Sequence, residues 1–76
     1  MHKTITSEKY RRLLAWLKSE RERQGLSMRD LAEKLDVPHS FVGKIETAER
    51  RLDLLEYVEY CEALGAKPED GLVILR

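Results

Sequence analysis

An all-α fold of four to five short helices is what this sequence of 76 residues predicts, on three observations. Apolar residues recur at the i, i+3, i+4, i+7 spacing that puts them on one helix face. Ser or Asp precedes two of these runs with an acidic residue three positions on, the pattern of a helix N-terminus. Only 2 prolines and 4 glycines interrupt the chain. A chain of this size buries only about 60% of the surface its unfolded form exposes, so one small core is expected and residues 1–76 read as a single domain.

The elements follow in order. Residues 1–6 read as a flexible arm. Ser7 caps the first helix, with Glu8 favoured in its first turn by the helix dipole, and Tyr10, Leu13, Leu14 and Leu17 form its core stripe. Gly25 is a left-handed stop. "SMRD", Ser27 to Asp30, is a capping box opening a second helix whose core contacts are Leu31, Ala32 and Leu35. Asp36-Val37-Pro38 breaks it. A third helix from about His39 to Thr47 buries Val42 and Ile45. Asp53 and Glu56 form another capping box, for a fourth helix with Leu54, Leu55, Val58, Cys61 and Leu64 inside and Gly65 as its end. Pro68 suits the first position of a short fifth helix. Gly71 is expected to end that helix early, leaving Leu72 to Leu75 as an apolar, β-prone tail that could form a short C-terminal strand.

Formal net charge is zero, yet the charge is divided along the chain. Residues 1–51 carry 12 Lys/Arg against 8 Asp/Glu, a balance of +4, and residues 52–76 carry 2 against 6, a balance of −4. Such a molecule can turn a basic side to phosphate and hold its acidic side away. There is no apolar run near the roughly 20 residues a membrane span needs. A lone cysteine, Cys61, excludes an internal disulfide framework and fits a reducing cytoplasm. Cys61, His2 and His39 lack metal-ligand spacing, so neither a metal nor a cofactor is expected. No nucleophile–base constellation and no phosphate-cradling glycine loop points to an enzyme.

The third helix has the most informative face. With Val42 at zero and roughly 100° per residue, Val42 and Ile45 point inward, Phe41 and Glu46 take the shoulders, and Ser40, Gly43, Lys44 and Thr47 gather outward. His39 flanks them. Gly43 costs about 1 kcal/mol relative to alanine in a helix interior, so an outward glycine points to something that approaches closely.

Two helices joined by a tight turn, the second with its polar face outward, describe a helix-turn-helix. Here the sequence resembles the phage-repressor/Cro-like (XRE-like) helix-turn-helix family. The resemblance rests on Arg21, "GLS" (Gly25 to Ser27), "LAEKLDVP" (Leu31 to Pro38), "SFVGKIE" (Ser40 to Glu46), "ERRLD" (Glu49 to Asp53) and "ALG" (Ala63 to Gly65). It covers roughly residues 10–70. It implies a compact lambda-repressor-like fold, sequence-specific binding of double-stranded DNA and frequent dimerisation.

By position, the resemblance makes the third helix the recognition helix, with His39, Ser40 and Lys44 facing base edges. Arg50 and Arg51 fall in the following loop, where family members hold the DNA backbone. Met28, Arg29, Phe41, Gly43 and Thr47 complete the backbone or flanking set, and Arg21 with Glu46 matches an ion pair tying helix one to helix three. The chain departs from the family pattern at three places. Met28 stands where a phosphate-touching glutamine is usual, Asp36 where the turn commonly has glycine, and Ala48 where the loop does.

Trp16, Tyr57 and Tyr60 are read as packing or dimer surface, and Cys61 as inert core. One short helix reads few base pairs, and the tail holds four apolar residues that a small core can hardly cover. A homodimer on an inverted-repeat operator is therefore expected, acting as a cytoplasmic transcriptional repressor. Two alternatives stay open: an antitoxin of a toxin–antitoxin pair, and a protein-interaction module on the same fold.

Overall fold

The computed structural model describes residues 7–76, so the expected arm at residues 1–6 lies outside the described residues. Five α-helices follow one another: α1 (Glu8–Arg23), α2 (Met28–Leu35), α3 (His39–Glu46), α4 (Leu54–Leu64) and α5 (Pro68–Leu72). A 3₁₀ turn, Val73–Leu75, follows α5 directly. Leu13, Leu14 and Leu17 of α1, Leu31 and Ala32 of α2, Val42 and Ile45 of α3, and Tyr57, Tyr60, Cys61 and Leu64 of α4 form one buried core.

Local chemistry fixes where the helices start. The Ser7 hydroxyl accepts from the Tyr10 N–H at 3.0 Å. The Ser27 hydroxyl accepts from the Asp30 N–H at 3.0 Å, and the Asp30 carboxylate accepts from the Ser27 N–H at 2.9 Å. That exchange holds the Asp30 carboxyl below its ordinary pKa. Asp53 and Glu56 exchange the same pair of bonds at the head of α4, and Pro68 opens α5.

The first four helices end in one way. After each, the N–H of a residue with positive φ bonds back three residues and the next N–H bonds back five, a Schellman closure. The left-handed residues are Gly25, Asp36, Ala48 and Gly65. Glycine takes this conformation freely. Asp36 and Ala48, the two closures that bracket α3, do not have that freedom and are held there by their neighbours.

Three expectations are corrected. Leu54 and Leu55 lie outside the core, 74% and 68% exposed, because the stripe of α4 that meets α1 and α2 starts only at Tyr57. Gly71 does not end α5. It is buried inside it, where an added Cβ would meet the Tyr57 hydroxyl at 2.2 Å and the Trp16 ring at 2.6 Å. This glycine is there for close approach. The tail is not a strand. With no neighbouring strand among the described residues, an extended tail would leave its N–H and C=O groups without backbone partners. Winding on into a 3₁₀ turn closes them locally, as with Arg76 N–H to the Val73 carbonyl at 3.2 Å.

Candidate nucleic-acid interface

The geometry of α3 starts from two anchors. Val42 and Ile45 are fully buried, which fixes the helix's rotation about its axis. His39, Ser40, Lys44 and Thr47 are exposed, and Gly43 lies half-buried beside them. The three-residue turn Asp36–Val37–Pro38 sets α3 against α2. Its path is closed by the Val37 N–H donating to the Ala32 carbonyl at 3.0 Å.

A second constraint reaches α3 from α1. Arg21 Nε donates to Glu46 Oε2 at 2.7 Å, and a second guanidinium nitrogen lies 3.3 Å from Oε1. The third nitrogen donates to the Leu26 carbonyl at 2.7 Å. Both side chains are nearly covered, at 8% and 6% exposure. The bond to Glu46 raises the Arg21 pKa further, so the guanidinium keeps its charge despite being covered. The expected pair therefore exists and ties together α1, the α1–α2 turn and the end of α3.

The loop from Thr47 to Asp53 is built around a contact that the sequence did not reveal. Both terminal nitrogens of Arg50 donate to the Glu56 carboxylate, at 2.9 and 2.8 Å, and its guanidinium lies 4.7 Å from the centre of the Phe41 ring. Arg50 and the Asp53 N–H together hold the Glu56 carboxyl below its ordinary pKa. Phe41 is thus partly covered, against the core on one side and beneath Arg50 on the other. Only the capping box announced Glu56 in the sequence; a partner six residues upstream matches no helical spacing.

The remaining residues take these places. The Thr47 hydroxyl sits 2.9 Å from the Gly43 carbonyl and 2.7 Å from the Glu49 carboxylate. His39 Nε2 is 3.8 Å from Glu33 of α2. Arg51 is exposed beside Arg50, and Arg29 is exposed in the first turn of α2. Met28 lies with its sulfur 3.9 Å from where a Cβ on Gly43 would be. His39, Ser40, Gly43, Lys44, Thr47 and Met28 therefore share one side of the molecule, with the Arg50–Arg51 loop at the C-terminal end of α3.

This arrangement of α2, turn and α3 is also what known proteins share with the chain. A helix-turn-helix family profile matches residues 17–72. An XRE-family like protein from Pseudomonas syringae pv. tomato str. DC3000 is 40% identical. It superposes with a TM-score of 0.83 over 88% of this chain and 82% of that one. The chain belongs to the XRE-type helix-turn-helix family. Two structures of the clp gene regulator ClgR from Corynebacterium glutamicum are 28% identical to this helix-turn-helix chain, with TM-scores of 0.79 and 0.78. Each covers 90% of this chain, which in turn covers 72% and 88% of theirs. Comparison with curated proteins gave no significant match. Membership makes this helix-turn-helix chain a DNA-binding transcription regulator. Among the described residues, no helix is long and apolar enough to cross a membrane.

Proposed function

We propose that the protein is a repressor that reads the major groove of an inverted-repeat operator as a homodimer, with α3 as its recognition helix. One observation carries this reading: α3 divides cleanly, with Val42 and Ile45 wholly buried and His39, Ser40 and Lys44 turned outward. Lys44 donates to guanine O6 and N7, while His39 and Ser40 reach bases or phosphates near the start of the helix. Arg29, Thr47 and Arg51 lie where phosphates pass, and Arg50 adds its charge from within its Glu56 pair. A compact body seated on an operator blocks access to it, which makes repression its simplest output.

The dimer reading is supported from the opposite end of the chain. Leu54, Leu72 and Leu75 line an apolar groove of roughly 200 Å³ with Tyr10, Leu13, Leu52 and Tyr57. Leu55 and Val73 are exposed as well. Exposed apolar surface of this kind marks an interface more often than a solvent face. A protomer measuring 33 × 23 × 20 Å fits beside its twin on half-sites about 34 Å apart.

The test is selection of duplexes from a random library by the intact chain, followed by titration at fixed salt. Lys44→Ala should weaken the selected site by about 1–3 kcal/mol and relax preference at one base pair. Arg51→Ala should weaken all sequences alike and make the salt slope shallower by about 1. Unchanged affinity in Lys44→Ala, or a selected consensus with no inverted repeat, would overturn the reading.

A further inference from the structure

We infer that Met28 reads a thymine 5-methyl group, so that α2 as well as α3 contributes to sequence choice; this rests on α3 being the recognition helix. Met28 is 42% exposed, and among the described residues it is the only large exposed apolar side chain outside the leucine-rich surface of α4 and the tail. It is no part of the buried core. Instead it stands at the first position of α2, and its backbone is fixed there by the Ser27–Asp30 capping box immediately around it.

Its neighbour explains where it can go. Gly43 presents no side chain, and the Met28 sulfur lies 3.9 Å from the place a Cβ would take. The thioether therefore sits over bare backbone on the outward side of α3, alongside Ser40 and Lys44. Gly43 gives it a seat, which answers why an outward helical position should carry a residue so poorly suited to a helix.

Chemistry then selects the target. A thioether has no hydrogen to donate, so it cannot hold a phosphate as a side-chain amide at that place would. Facing a major groove, it meets donors and acceptors on every base edge and a single kind of apolar group, the thymine methyl. Methionine is also unbranched and polarizable, so it conforms to a small apolar neighbour without needing a preformed pocket. Ser40 and Lys44 supply the polar contacts on either side, and Met28 supplies the apolar one.

The experiment uses the intact chain and the duplex it selects from a random library. Each thymine of that duplex is replaced singly by deoxyuridine, which keeps every hydrogen-bonding group and loses only the methyl. A methyl-sized group withdrawn from water is worth about fourfold in affinity. The expected result is an approximately fourfold loss at one thymine per half-site for the native chain. The same replacement should have no effect on Met28→Ala or Met28→Gln, whose unchanged melting transitions would show them folded. The inference is overturned if every deoxyuridine duplex binds as tightly as its parent, or if the loss persists undiminished in Met28→Ala. In those cases the Lys44→Ala effect still stands and only the role of Met28 fails. A library that yields no enriched sequence overturns both readings together.

Discussion

α3 and α4 are neighbours in the chain, and each has an apolar side in the same core, yet they present opposite outer surfaces. On α3 the two aliphatic residues are fully buried and the outward positions carry hydroxyls, a lysine, a histidine and a glycine. On α4 the inward stripe is made by two tyrosines, a cysteine and Leu64, while Leu54 and Leu55 stand in solvent. The inner sides serve the same purpose. The outer sides differ because a polar, cationic surface suits a nucleic acid, whereas an apolar one suits another protein surface. Charge divided along the chain, basic through α3 and its loop and acidic after them, explains how 76 residues with no net charge can bind DNA.

The largest expected effect removes the tie that sets α3 relative to the rest. Arg21→Ala leaves the Glu46 carboxylate buried without its partner and should lower unfolding stability by about 3–5 kcal/mol in a denaturant titration. The double replacement Arg21→Met with Glu46→Leu removes both charges and should restore most of that loss. If the single and double variants unfold alike, the pair is not what holds α3.

Next comes the junction behind α4. Gly71→Ala forces a methyl against the Tyr57 hydroxyl and Trp16 and should cost about 1–3 kcal/mol by overpacking. It also presses on the bond from the Tyr57 hydroxyl to the Pro68 carbonyl, 2.6 Å, that holds α5 to α4. The comparison itself is tested by Leu54→Lys with Leu55→Lys. Folding stability should change by no more than about 0.5 kcal/mol, because both side chains are already in water. Sedimentation of the proposed homodimer should nevertheless shift to the monomer. A chain that stays dimeric with both lysines would mean that the outer surface of α4 is not an interface.

The smallest effect is a pH dependence. Glu56 has its folded pKa depressed below the ordinary 4.5, first by Arg50 and then by the Asp53 N–H. Its contribution is therefore complete above the unfolded pKa and is lost as pH falls through the folded one. Glu56→Gln should cost under about 1 kcal/mol at pH 7, with native and variant stabilities converging in acid. A constant gap down to pH 3 would show that the carboxylate charge is not what holds the loop.

Most of the fold was legible because its signals are local. Ser7, the two capping boxes, Gly25, Gly65 and Pro68 each act within a few residues of themselves, so sequence spacing contains the whole interaction. The outward side of α3 was legible for a similar reason, as Val42 and Ile45 fix a rotation that the other residues must follow. Arg21 with Glu46 lies 25 positions apart and was reached through family resemblance together with the shoulder position of Glu46 on α3. What was misread depends on how elements meet. Helical spacing counts Leu54 and Leu55 as inward without registering that the packed stripe of α4 begins only at Tyr57, which leaves Leu54 at the open edge of the groove it shares with Tyr10 and Leu13. Gly71 carries the same letter as a helix stop, and only the closeness of Trp16 and Tyr57 shows its other use. Arg50 with Glu56 crosses a loop whose path no local rule supplies.

The clean division of α3 has a consequence for how such a protein changes over generations. Eight residues are too few to hold a helix alone in water, so the shape of α3 is imposed by Val42, Ile45, Glu46 and the capped neighbours around it. His39, Ser40 and Lys44 contribute almost nothing to that shape. Substitutions at these three positions can therefore accumulate at little cost in stability, and under the proposed reading each would alter which base pairs are preferred. A lineage built on this scaffold can acquire a new operator by drift at a few outward positions, without passing through an unfolded ancestor.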